Sequence, residues 1–353
     1  MYQKHKTKRT EIADLGEFGL IRHLTGDVNL VNSSTLKGVG DDAAVIKADE
    51  RELLVSTDLL IEGVHFNLAY TPLRHLGYKA AVVNISDIAA MNGVAEQITV
   101  SIAISNRFSL EALEEFYEGI ALACKHYKVD LIGGDTSSST SGLFISITVI
   151  GRALQNEIVY RSGAKENDLV FVSGDLGGAY MGLLLLEREK TVYAVNPSMQ
   201  PDLEGNDYIL ERQLKPEART DIISLLKSNG VQPTAMIDIS DGLASELMHI
   251  CENSEVGCAV YEEKIPIDPA TVGMAEEFKI DPTIAALSGG EDYELLFTIS
   301  QNDYEKVKNI EGISAIGHIT NKDSGRNLVS RDGTMIPITA QGWDAFLKKS
   351  DSY

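Results

Sequence analysis

Gly38-Val39-Gly40-Asp41-Asp42-Ala43-Ala44-Val45-Ile46 and, shortly after it, Leu53-Leu54-Val55-Ser56-Thr57-Asp58 decide how this chain is read. Polar residues 47–52 separate the two apolar runs and read as a turn joining two strands. With the turn centred on Asp49 and Glu50, antiparallel pairing sets Asp41 opposite Asp58. Cross-strand Cβ atoms lie about 5 Å apart, and like charges placed there destabilise the pair. The pattern therefore asks for a counter-ion. A hard divalent cation such as Mg2+ or Ca2+ answers it, because carboxylates and the Ser56 and Thr57 hydroxyls or carbonyls are all oxygen donors. A solvated turn and a strand end explain any one of these aspartates equally simply, so the rest of the chain must decide.

Working outward, 14–24 has apolar residues at helical spacing, and 63–68 reads as a third extended piece. Residues 76–93 are apolar nearly all round and predict a buried helix. Asp87 falls within its stripe of Leu76, Ala80, Val83 and Met91, where a carboxylate is costly unless it is paired or binds metal; a cap at a helix break is the alternative. A strand at 97–104 and a Ser-capped helix at 109–127 follow. The strand 129–132 then runs into what reads as a glycine turn, Gly133-Gly134-Asp135-Thr136, before a strand at 143–150. Residues 152–168 read as a connector. The second half predicts a strand at 169–173, a helix ending near Leu186, an irregular excursion at 187–206 and a helix at 218–229. The strand through Ile237 delivers Asp238, with Ser240 or Asp241 capping the helix from Leu243. A second acid-bearing glycine turn, Gly289-Gly290-Glu291-Asp292, enters the strand ending near Thr298.

The 353 residues are 44% hydrophobic and 24% charged, which suits two globular domains. A net charge of −21 argues against nucleic acid and anionic membranes as partners, and polyphosphate would require metal ions. The absence of a long apolar run or signal-type segment predicts a cytoplasmic protein. Cys124, Cys251 and Cys258 form neither an even framework nor a CxxC pair, as expected of reduced thiols. Gly-Lys is absent, which excludes a Walker A loop, and no HExxH, GxSxG or protein-kinase motif set occurs. Five acids remain at strand ends or in apolar surroundings: Asp41, Asp58, Asp87, Asp135 and Asp238. Phosphoryl transfer needs chiefly alignment and charge neutralisation, which Mg2+ ions supply.

These segments, together with Asn84-Ile85-Ser86-Asp87, Arg161-Ser162-Gly163-Ala164-Lys165 and Asp238-Ile239-Ser240-Asp241-Gly242-Leu243, closely resemble the bacterial thiamine-monophosphate kinase family. Aminoimidazole ribonucleotide synthetase and selenophosphate synthetase belong to the same superfamily. The resemblance extends from about Glu17 to Trp343, with Pro216-Glu217-Ala218-Arg219 departing from the family's Pro-x-Pro-Arg. It implies a two-domain α/β (α+β) chain. On this resemblance an N-terminal ATP/Mg-binding and dimerisation domain would span 1–151 and a C-terminal αβ domain 152–353, and homodimers would pair through the N-terminal mixed sheets. It implies transfer of the ATP γ-phosphate to thiamine monophosphate, yielding thiamine diphosphate and ADP. By position, Asp58, Asp87, Asp135 and Asp238 would be catalytic. Several Mg2+ ions would be held by these four with Asp41, Ser56, Thr57 and Asp241. Tyr117, Gly134, Asp135, Arg161 and Ser240 would contact ATP, and His65, Glu291 and Trp343 would hold thiamine monophosphate. Another acceptor within the superfamily, or a catalytically silent relative, is the alternative; no cysteine precedes Cys124, unlike a selenophosphate synthetase.

Overall fold

The computed structural model describes residues 23–37, 45–47 and 50–339. Its strands are β1 (Thr35–Lys37), β2 (Val45–Ile46), β3 (Glu52–Ile61), β4 (Val94–Ile104), β5 (Asp130–Ser138), β6 (Leu143–Ala153), β7 (Leu169–Ser173), β8 (Ala235–Asp238), β9 (Gly257–Tyr261), β10 (Leu295–Ile299), β11 (Ile313–Thr320), β12 (Arg326–Val329) and β13 (Met335–Pro337). Its helices are α1 (Leu73–Ala90), α2 (Leu110–Tyr127), α3 (Gly178–Val195), α4 (Asp207–Leu214), α5 (Thr220–Ser228), α6 (Leu243–Ser254), α7 (Pro269–Phe278), α8 (Pro282–Ser288) and α9 (Tyr304–Val307). Two compact units result, one ending at Asn156 and the other comprising Ala90–Asn92 and the chain from Glu157.

In the first unit, a four-stranded sheet has the order β3-β6-β4-β5. β6 is antiparallel to both neighbours, and β5 runs parallel to β4. The expected hairpin between the two acidic runs does not form among the described residues. β2 instead pairs with β1, and all ten residues of β3 pair with β6, so Asp58 lies opposite Ile147. β6 offers β3 a full-length ladder, whereas β2 offers two residues. Asp41 lies outside the described residues. Residues 63–65 form a turn rather than an extended piece, with Gly63 at φ +80° and its N–H donating to Phe66 O at 2.8 Å.

α1 is buried along nearly its whole length, as its uniformly apolar sequence predicts, and packs on one face of the sheet. A Cβ at Gly77 would overlap the Phe116 carbonyl of α2, and one at Gly119 would overlap the Arg74 carbonyl of α1, so the two helices cross backbone to backbone. Gly133 and Gly134 do not turn the chain; they sit inside β5. A Cβ on Gly134 would strike the Val100 carbonyl of β4, beside a register shift between Ile98 and Thr99. Close parallel pairing, rather than a reversal, requires the glycine.

The second unit carries a seven-stranded sheet ordered β13-β12-β9-β11-β7-β10-β8. Val170, Val172, Ile237, Leu243, Leu247, Val260, Leu296 and Ile319 contribute to its core. α3 runs to Val195, well past the expected end near Leu186, so the irregular excursion begins later. Among the described residues no helix is long and apolar enough to cross a membrane.

Candidate active site

Alternation along β3 turns Leu54, Ser56, Asp58 and Leu60 toward the α1 side and Val55, Thr57 and Leu59 to the other face. On the α1 side, Ser56 Oγ donates to Asp87 Oδ2 at 2.5 Å. Burial, and then the charge of Asp87, pushes the Asp58 carboxyl from 3.8 to about 6. Two carboxylates and a hydroxyl thus meet in one partly buried patch. Among the described residues, no three acidic, histidine or cysteine side chains gather into a complete metal centre.

The remaining N-terminal candidates are dispersed. Asp135 pairs with Ser101, Ser101 with Ser146 and Ser146 with Leu59, which places Asp135 on the sheet face opposite Asp58. Thr57 shares that opposite face; its hydroxyl donates to Ile147 O at 3.0 Å and accepts from Thr148 Oγ1 at 3.0 Å. His65 Nδ1 accepts the Ile61 N–H at 3.0 Å, so a neutral ring carries its proton on Nε2. Tyr117 is half-buried against Phe116, edge to face at 5.6 Å, and burial pushes its hydroxyl up to about 12.

In the second unit, β8 ends on buried Asp238, opposite Leu295. The pairing continues past the strand ends, with Ile239 N–H donating to Glu294 O at 2.7 Å, Tyr293 N–H to Ile239 O at 2.9 Å and Glu291 N–H to Ser240 O at 2.8 Å. Ser240, Asp241 and Glu291 are thereby brought together. Burial raises the Asp241 carboxyl and Glu291 adds to the rise, while the charges of His249 and Arg161 oppose it. Glu291 and Tyr293 hold left-handed φ values of +67° and +52°. Between them Asp292 is buried, accepting the Gly177 and Ala179 N–H groups at 2.7 and 3.3 Å. That internal acceptor holds the strained segment in place.

Neither Ser240 nor Asp241 caps α6. Its N-cap is Gly242, at φ +111° and without a side-chain cap. The interaction runs the other way: Glu246, in the first turn of the helix, reaches back to Ser240 and Asp241. Sequence reasoning missed Glu246, yet it lies between Leu243, Leu247 and Ile250, the same acid-in-an-apolar-stripe signal that picked out Asp87. Also missed were Gln213, whose Nε2 donates to Glu291 Oε2 at 2.7 Å, and the arginines around Glu294. Buried Glu294 is held by Arg212 at 2.8 Å, Arg219 at 2.5 Å and Ser173 Oγ at 2.5 Å, and Arg212 also lies 3.6 Å from Asp292. The Pro216–Arg219 motif was the available signal for Arg219.

The chain is 36% identical to a thiamine-monophosphate kinase of Bacillus subtilis over 94% of its own length and all of the relative's. The chain belongs to the thiamine-monophosphate kinase family. An Aquifex aeolicus thiamine-monophosphate kinase is also 36% identical, over 81% of this chain and 87% of that protein. The family model for the AIR synthase related protein, N-terminal domain, matches residues 40–153. A solved structure described as AaThiL complexed with AMPPCP and TMP superposes with a TM-score of 0.73 at 32% identity, covering 96% of this chain and 99% of that one. This confirms the two-domain α/β architecture expected of a thiamine-monophosphate kinase. A hydrogenase maturation protein HypE in complex with ATP shares the fold alone, at 17% identity and a TM-score of 0.72.

Proposed function

We propose that this chain is an ATP-dependent kinase that phosphorylates thiamine monophosphate to thiamine diphosphate and releases ADP. Full-length relationship to thiamine-monophosphate kinases supports the reaction, and the Ser56–Asp58–Asp87 patch is the observation that carries its chemistry. Hard oxygen donors beside a carboxyl raised by burial and by its neighbour's charge fit Mg2+, which would neutralise phosphate charge when bound. Asp58 and Asp87 with Ser56 in the first unit and, separately, Asp238 and Asp241 in the second would hold Mg2+ ions, and Asp41 belongs to this reading although it lies outside the described residues.

Thr57, its hydroxyl turned away, would offer a main-chain oxygen. Tyr117, Gly134, Arg161 and Ser240 would bind and orient ATP; Arg161 matches phosphate geometrically. His65 donates through Nε2 and Glu291 attracts a cationic thiazolium; Trp343, also outside the described residues, would stack on it. The acceptor phosphate is ionised near neutral pH, so in-line attack needs no general base.

A cytoplasmic homodimer formed through the N-terminal sheets is part of the proposal. The open sheet face carries Leu53, Val55 and Leu59, 57%, 65% and 54% exposed. Asp135 lies on that face, and a second copy would cover it. The test is a coupled ADP-release assay. Turnover with thiamine monophosphate and none with unphosphorylated thiamine is expected; turnover only with thiamine, or with neither, overturns the reading.

A further inference from the structure

We infer that Glu246 is a positioning residue that makes the Ser240–Asp241 turn ahead of α6 engage nucleotide phosphate only through a bridging cation. The inference rests on the kinase reading above. Backbone N–H groups at the start of a helix ordinarily attract phosphate directly. The amides of Ser240 and Asp241, in the turn just ahead of the helix cap Gly242, converge instead on Glu246 Oε1, at 3.1 and 2.9 Å, and Ser240 Oγ lies 3.3 Å from the same oxygen. Glu246 is 1% exposed, and its Oε2 has no hydrogen-bond partner among the described residues. The chain's own carboxylate therefore occupies the place a phosphate oxygen would take.

The consequence follows from counting protons. A hydroxyl has one proton to donate. With that proton directed to Glu246, Ser240 presents lone pairs outward, next to the Asp241 and Glu291 carboxylates. Lone pairs and carboxylates attract a divalent cation or its bound water and repel a bare phosphate oxygen. Glu246 keeps the donors turned inward, without touching substrate itself.

The test titrates the full-length protein with a non-hydrolysable ATP analogue, once with Mg2+ and once with a chelator, and compares the two affinities. Glu246→Leu frees the Ser240 hydroxyl and both amides to donate to phosphate, and the ratio of metal-bound to metal-free affinity is expected to narrow at least tenfold. Glu246→Gln retains the acceptor oxygen and should stay within threefold of the wild-type ratio. A folded Glu246→Leu protein with the wild-type ratio overturns the inference, as does a Gln variant that narrows as far as the Leu variant. A second measurement needs no variant. The Ser240 and Asp241 amide proton resonances of the wild-type protein should stay in place when metal-free analogue is added. A large downfield displacement of either would reveal direct donation to phosphate and overturn the inference even if the Leu variant does not fold. Wild-type protein that turns over thiamine monophosphate but shows no metal preference sinks this inference alone; wild-type protein with neither binding nor turnover sinks the kinase reading and this inference together.

Discussion

Two acid clusters, one in each unit, are held in opposite ways. In the first, burial and then the charge of nearby Asp87 raise the Asp58 carboxyl, with a serine hydroxyl between strand and helix. In the second, buried Glu294 is enclosed by Arg212, Arg219 and Ser173, and Asp292 accepts two backbone N–H groups beside Arg212. The Glu294 cluster is complete without any ligand. The Asp58 patch carries a repulsion that a bound cation would relieve. The contrast separates structural carboxylates from those the proposed chemistry would use.

The sharpest way to break that comparison is substitution at the patch. Asp58→Asn or Asp87→Asn should lower kcat by at least about a thousandfold while leaving circular dichroism unchanged; retained turnover of both at saturating Mg2+ would remove the patch from the chemistry. The mirror experiment in the second unit is Arg219→Ala, which strips a partner from buried Glu294. It should destabilise by about 3 kcal/mol in chemical denaturation, with no recovery on adding Mg2+.

The smallest effect is a pH dependence. The Asp58 carboxyl rises from 3.8 to about 6, so the folded chain holds this proton more tightly than the unfolded chain. The stability it contributes is complete below pH 3.8 and is lost as pH rises through 6. Discounted for partial exposure, the loss is about 1 kcal/mol. Asp58→Asn should flatten this part of the stability profile, and Mg2+ should restore stability to the wild-type protein at pH 7; a profile identical in both proteins would contradict the shift.

What could be read from sequence were features with a local period. The all-round apolar run of α1, with Asp87 in its stripe, needs only helical geometry to be recognised. The Ser109 cap of α2 was equally local, and its Oγ accepts the Ala112 N–H at 3.4 Å. Gly134 was misread because its reason lies on another strand, at the Val100 carbonyl. The strand carrying Asp58 was assigned the wrong partner because β6, far along the chain, outcompetes β2. Glu246 carried a legible signal that went unused, whereas the pairing of Arg212 with Glu294 joins residues no local pattern connects.

The glycine crossing of α1 over α2 has a mechanical corollary. Gly77 lies ten residues before Asp87, about 15 Å along the same rod at 1.5 Å per residue. With main chain resting directly on main chain, this fulcrum has no side chain to yield, and a single added methyl at Gly77 must tip the whole lever. The far end of that lever carries a carboxylate, so a volume change deep in the hydrophobic interior would register at the hydrogen bond between Asp87 and Ser56.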